Sequence, residues 1–139
     1  MAELVGLAAS VITLTAVVKA GGEGLTKLSS CRHAPPRIAS LRAKVRSLAQ
    51  LLMHVKSFKD TAAEPYAHDL LAEKIREAAS QVAKLNELLS LPAFGITWFN
   101  DKARAALTVF RYGSKLADID KDLNESIQHI GLRLSLVNT

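Results

Sequence analysis

The chain has 139 residues, a mass of 15.0 kDa and a formal charge of +5, one basic domain's worth. Hydrophobic residues at 49% exclude a disordered tail, and aromatics at 5% leave any core to aliphatic side chains. A single cysteine excludes an internal disulfide framework and most cysteine zinc sites, and seven glycines with four prolines are too few for a turn-rich β-sandwich.

The first predicted element is a helix over Ala2 to Ala20. Between Glu3 and Lys19 lie fifteen residues without a charge. At 1.5 Å per residue they make about 22 Å of helix, short of the ~30 Å hydrocarbon core of a bilayer. Leu4, Leu7, Val11, Leu14 and Val18 form one stripe, and Val5 and Ile12 lie on another side. A helix apolar nearly all round belongs in the centre of a bundle or in lipid, and the central place is the expectation. The segment is not read as a signal peptide, because Glu3 is acidic and the first base, Lys19, follows the apolar run. With the lone Cys31, this points to an intracellular chain in a reducing compartment.

Gly21, Gly22 and Gly24 read as a breaker and a hinge, with a short helix through Leu25 and Leu28 beyond it. The run ends Leu25-Thr26-Lys27, the wrong order for a phosphate-binding loop, and no strand precedes it.

A second long helix is expected from about Pro36 to Phe58, with proline in its first turn. Ile38, Leu41, Val45, Leu48, Leu52 and Val55 recur at alternating steps of three and four. The region Leu25 to Lys59 holds eight bases and no acid, whereas Asp60 to Thr139 holds nine bases and eleven acids. Arg37, Arg42, Lys44 and Arg46 are therefore candidate contacts for anionic lipid or an acidic partner. The acidic run Asp118, Asp120, Asp122, Glu125 is the alternative partner, inside the fold. At about 100° per residue Arg42 and Arg46 fall on one flank of the stripe and Lys44 on the other, which favours the internal match. Nucleic acid is not an expected partner, since the bases are dispersed and aromatics scarce.

Asp60 to Pro65 reads as a turn. A third helix runs from about Tyr66 to Leu89 on the stripe Leu71, Ile75, Ala78, Val82, Leu85, Leu89. After the connection at Leu91 to Gly95, a last helical segment spans Thr97 to Leu136. Its first part carries Trp98, Phe99, Leu107 and Phe110, and its later stripe is Tyr112, Leu116, Ile119, Leu123, Ile127, Ile130, Leu134, Val137. Gly113 is expected to kink or break it, and Trp98 to plug the core at its start. The chain stops just after the apolar run Leu132 to Val137, so residues 1–139 are expected to be the N-terminal domain of a longer protein. The fold class is all-α, an antiparallel bundle of four to five helices with a hydrophobic N-terminal helix.

No catalytic constellation emerges, so an enzyme is not expected. His33, His54, His68 and His129 have no helical metal-site spacing, and Asp118, Asp120 and Asp122 lack the glycine and glutamate of a calcium loop. No cofactor or metal is expected.

Two stretches belong together: the opening M-A-E-L-V-G-L-A-A-S-V-I-T-L-T-A-V-V-K-A-G-G, and I-T-W-F followed by R-Y-G-S-K-L-A-D-I-D-K-D-L-N-E-S-I-Q-H-I-G-L-R-L-S-L-V. With P-P-R-I-A-S-L-R-A-K-V-R-S-L between them, this pattern resembles the HeLo-like N-terminal domains of fungal NLR/STAND proteins, which are similar to the MLKL four-helix bundle. The resemblance implies a cytoplasmic effector of programmed cell death, of the kind used in heterokaryon incompatibility and innate immunity. It implies self-association driven by downstream regulatory domains, movement to the plasma membrane, and release of the N-terminal segment into lipid. Here that segment is Leu4, Val5, Leu7, Val11, Ile12, Leu14 and Val18, with Gly21, Gly22 and Gly24 as hinge. Its length implies partial insertion or a thinned bilayer, with Lys19 snorkelling. Small residues spaced by four (Gly6 and Ser10, Ala9 and Thr13, Ala16 and Ala20) allow close helix approach in lipid. The competing expectation is a homotypic or heterotypic interaction module of a signalling receptor that never touches the membrane.

Overall fold

The computed structural model describes residues 2–59 and 65–137, without the side chains of 2–8, 56–59, 65–69, 96, 136 and 137. Among these residues there are only helices: α1 (Ala2–Ser29), α2 (Pro36–Lys59), α3 (Pro65–Leu89), a 3-10 turn (Pro92–Phe94), the single turn α4 (Ile96–Phe99) and α5 (Lys102–Val137). The expected turn at residues 60–64 lies outside the described residues.

The four long helices form a bundle in which α1 and α5 each pack on both α2 and α3. α1 and α5 are thus diagonal to one another, as are α2 and α3. Gly21 faces Val82 and Asn86, and Gly24 faces Leu89, so α1 and α3 run parallel. Gly22 meets Val45, seven residues before the end of α1 and nine after the start of α2, so those two are antiparallel. Arg37 and Lys44 both reach Asp120, which sets α2 beside α5. The helical bundle expected from sequence is what forms; α2 and α3 follow each other in sequence but sit across the bundle, which makes α1 and α3 parallel neighbours.

The repeating stripes became the core. All six stripe residues of α2 are buried, as are Leu71, Ile75, Ala78, Val82 and Leu85 of α3 and Leu116, Ile119, Leu123, Ile130 and Leu134 of α5. Each of the buried Val, Leu and Ile side chains contributes roughly 1.5–3 kcal/mol. α1 adds Val11, Leu14, Val18, Leu25 and Leu28. It does so along one face only. Ile12 is 70% exposed, and Ala16, Lys19 and Ala20 are exposed too. The central place expected for α1 is therefore corrected: it is one side of the bundle, packed on α2 and α3 with its remaining face in solvent.

Gly113 does not break the last helix, which runs continuously from Lys102 to Val137. The interruption falls at Asn100 and Asp101, where Asp101 Oδ1 accepts a hydrogen bond from the Arg104 backbone N–H at 3.2 Å and caps α5. Residues 90–101 close one end of the bundle. Phe94 and Phe99 meet edge to face with centroids 5.7 Å apart, and Tyr112 lies 5.4 Å from Phe94. The His33 N–H donates to the Phe99 carbonyl at 3.1 Å and the Arg32 N–H to Asn100 Oδ1 at 3.0 Å, which ties the α1–α2 connection to α4. Trp98 is the half-buried plug expected, its indole N–H donating to the Arg104 carbonyl at 2.7 Å.

Candidate functional site

The membrane-active segment expected from sequence lies wholly in α1. Val11, Leu14 and Val18 point into the core, and Ile12 points to solvent. Leu4, Val5 and Leu7 belong to the same helix, with side chains outside the described residues. The hydroxyl groups of this helix turn back on its own backbone: Thr13 donates to the Ala9 carbonyl at 3.0 Å, Thr15 to Val11 at 2.7 Å and Thr26 to Gly22 at 2.7 Å. Such back-bonding satisfies the hydroxyl within the helix. From residue 11 to residue 18 the exposed residues of α1 are Ile12, Thr13 and Ala16, none of them charged.

Gly21, Gly22 and Gly24 do not break the helix, which corrects the breaker reading and removes the separate short helix at Leu25. Gly21 holds a place in the stripe, since Val18, Gly21, Leu25 and Leu28 continue its alternation of threes and fours. It allows α3 to approach closely: a Cβ there would lie 2.8 Å from Asn86 Oδ1 and 3.4 Å from Val82 Cγ1. Asn86 in turn donates from Nδ2 to the Val17 carbonyl at 3.0 Å. The glycines are helix-crossing positions in the folded bundle, and Asn86 is a clasp that sequence reading missed. Its only sequence signal was a polar amide beside the α3 stripe.

The four candidate basic contacts divide in two. Arg37 Nη1 lies 2.7 Å from Asp120 Oδ2 and Lys44 Nζ 3.1 Å from Oδ1, while the Ser40 hydroxyl donates to Oδ2 at 2.9 Å. Burial alone would raise the Asp120 carboxyl, but the Arg37, Lys44 and Ser40 donors and the Lys44 charge outweigh it and hold the group below the ordinary aspartate value. Within the acidic run, Asp120 carries the internal match. Arg42 and Arg46 sit on the opposite flank, as the helical angle predicted. With Lys19 and Lys27 of α1 they rim an open groove of about 510 Å³ over Val18, Gly22, Val45 and Ala49. Glu23 is the one acid on that rim. Arg42 Nε is buried without a hydrogen-bond partner.

Among the described residues no group of three or more histidine, cysteine or acidic side chains is arranged to hold a metal. Cys31 is buried, and burial pushes its thiol up, away from the reactive thiolate. Among the described residues no helix is long and apolar enough to cross a membrane. No known family, curated protein or solved structure matches the chain.

Proposed function

We propose that this chain is a membrane-targeting cell-death effector domain of the HeLo-like kind. Copies assemble when downstream regulatory domains are activated, α1 trades its protein neighbours for lipid, and the plasma membrane is perturbed. The observation that carries this reading is the position of α1. It flanks the bundle rather than threading it, so α2, α3 and α5 keep the α2–α5 and α3–α5 contacts when it leaves. Its outer face is already apolar at Ile12 and Ala16.

Release exposes Val11, Leu14, Val18, Leu25 and Leu28. Hydrocarbon restores roughly 1.5–3 kcal/mol for each side chain it covers, and assembly multiplies the attachment. The uncharged stretch, about 22 Å long, suits partial insertion. Arg42 and Arg46 would then meet anionic headgroups with Lys19, whereas Arg37 and Lys44 stay on Asp120. The protein would be cytoplasmic at rest and at the plasma membrane when active.

The test is dye release from phosphatidylserine vesicles. Val11 and Leu14 are buried, so charges there would unfold the bundle. Ile12→Glu places the charge on the outer face and spares the fold. Loss of leakage with an unchanged melting curve is expected; undiminished leakage would refute the role of α1.

A second reading, an interaction module without membrane activity, draws on the α1–α3 groove. It holds about 500 Å³ over small residues of the two helices, among them Ala9, Thr13, Ala79 and Ala83, with Arg76 as its one charged lining residue, a bed suited to a partner helix. Self-association without lipid binding would favour it.

A further inference from the structure

The first four turns of α5 present a face that the bundle does not use. Phe110 is 89% exposed and Leu107 55% exposed, although both join the apolar series of the sequence. At 100° per residue, Ala103, Leu107 and Phe110 fall within about 60° of one another, opposite the buried Ala105, Thr108 and Leu116. They make a convex apolar ridge. Arg104, Arg111 and Lys115 run along one flank of it, at about 80–120° from Ala103. From Lys102 to Ala117 the helix has four bases and no acid. Arg104 is steadied over the Trp98 ring at 5.2 Å and reaches Asp101 at 4.0 Å, and Arg111 stacks over Tyr112 at 5.5 Å.

We propose that this ridge, Ala103–Leu107–Phe110 with Arg104, Arg111 and Lys115, docks the folded bundle onto an anionic lipid bilayer. Contiguous exposed apolar side chains rimmed by charge, as Leu107 and Phe110 are, mark an interaction surface. A convex ridge needs no complementary groove in a fluid interface, where its apolar residues enter the headgroup boundary and its cations meet anionic lipids. A second copy is a poor occupant, because the same excess of bases would face itself. The inference shares with the proposed function only the membrane as partner. It places first contact on α5, diagonal to α1, and requires no release of any helix.

The test is co-sedimentation of the 139-residue chain with vesicles of phosphatidylcholine, with and without phosphatidylserine. The double variant Leu107→Ser, Phe110→Ser is expected to weaken binding to the anionic vesicles by at least about tenfold while melting as the wild type does. Should it melt early, Ala103→Glu carries the same test from an exposed alanine. Arg111→Glu with Lys115→Glu is expected to weaken binding and flatten its dependence on salt. Failure of the two readings is distinguishable: weakened sedimentation of the ridge variants tests α5, whereas leakage by Ile12→Glu tests α1. Wild-type binding by either ridge variant would overturn the inference. So would equal binding to vesicles of phosphatidylcholine alone, or a dimer in sedimentation equilibrium that the double variant dissociates, which would name a second copy as the occupant.

Discussion

At Gly21 a single hydrogen atom sets how closely α1 lies on α3. Alanine there would gain up to about 1 kcal/mol of helix propensity, but its Cβ would press on an Asn86 side chain already committed to the Val17 carbonyl. Gly21→Ala is expected to destabilise by roughly 1–2 kcal/mol in urea unfolding. Gly131 is the comparison, with nothing within 4 Å of its Cβ position. Gly131→Ala is expected to stabilise by about 0.5–1 kcal/mol. Equal effects at the two sites would contradict the close crossing. Asp120 gives a second residue-level expectation. Its folded carboxyl is held below the ordinary value, so the unfolded chain binds a proton more readily. Its stabilising contribution is therefore full above the unfolded value of about 4 and is lost as pH falls toward the lower folded value. Thermal melts from neutral to acid pH are expected to show a loss of stability below pH of about 4, part of which disappears in Asp120→Asn. That variant should also melt lower at neutral pH, since Arg37 and Lys44 lose their shared anion. An acid limb identical in both proteins would contradict the assignment.

Helix by helix, legibility followed periodicity. In α2 and α3 the apolar residues recur at one spacing between prolines, so existence, extent and buried face could all be read before the fold was known. Helix α1 was legible as a helix, and its stripe at Val11, Leu14 and Val18 is the face that is buried, but the apolar residues off the stripe gave its outer face the look of a covered one. Its glycines misled for a related reason. A glycine cluster reads as a break, yet Gly21 keeps the stripe spacing, and the packing across Val82 and Asn86 decides the outcome. The first turns of α5 carried no assigned buried face: Leu107 and Phe110 stood among its apolar residues, and this stretch packs on the connection 90–99, where the Thr108 hydroxyl donates to the Ala93 carbonyl at 3.1 Å. Among the described residues no long helix covers the ridge. Coverage depends on which elements meet, and local spacing does not encode that. Of the basic residues, the flanks were legible from helical angle, while the choice of Asp120 over its acidic neighbours needed α5 to be set beside α2.

Two sets of forces act on α1 in the proposed function. Five buried side chains and the Asn86 clasp hold it in place; the uncharged outer face over residues 11–18 and the cationic groove at its side would draw it toward an anionic membrane. Asn86→Ala loosens the clasp without touching the outer face, so it is expected to increase dye release from phosphatidylserine vesicles while lowering the melting temperature by a few degrees. Reduced leakage from that variant would argue that the closed bundle is the active form. Departure of α1 can be observed directly. With Cys31 replaced by Ala, spin labels at Ala16 on α1 and Ala83 on α3, both exposed, report the separation of these parallel neighbours by pulsed electron resonance. The expected result is a single short distance in solution that lengthens and broadens on phosphatidylserine vesicles under conditions of leakage. The short distance persisting unchanged while the vesicles leak would contradict the account.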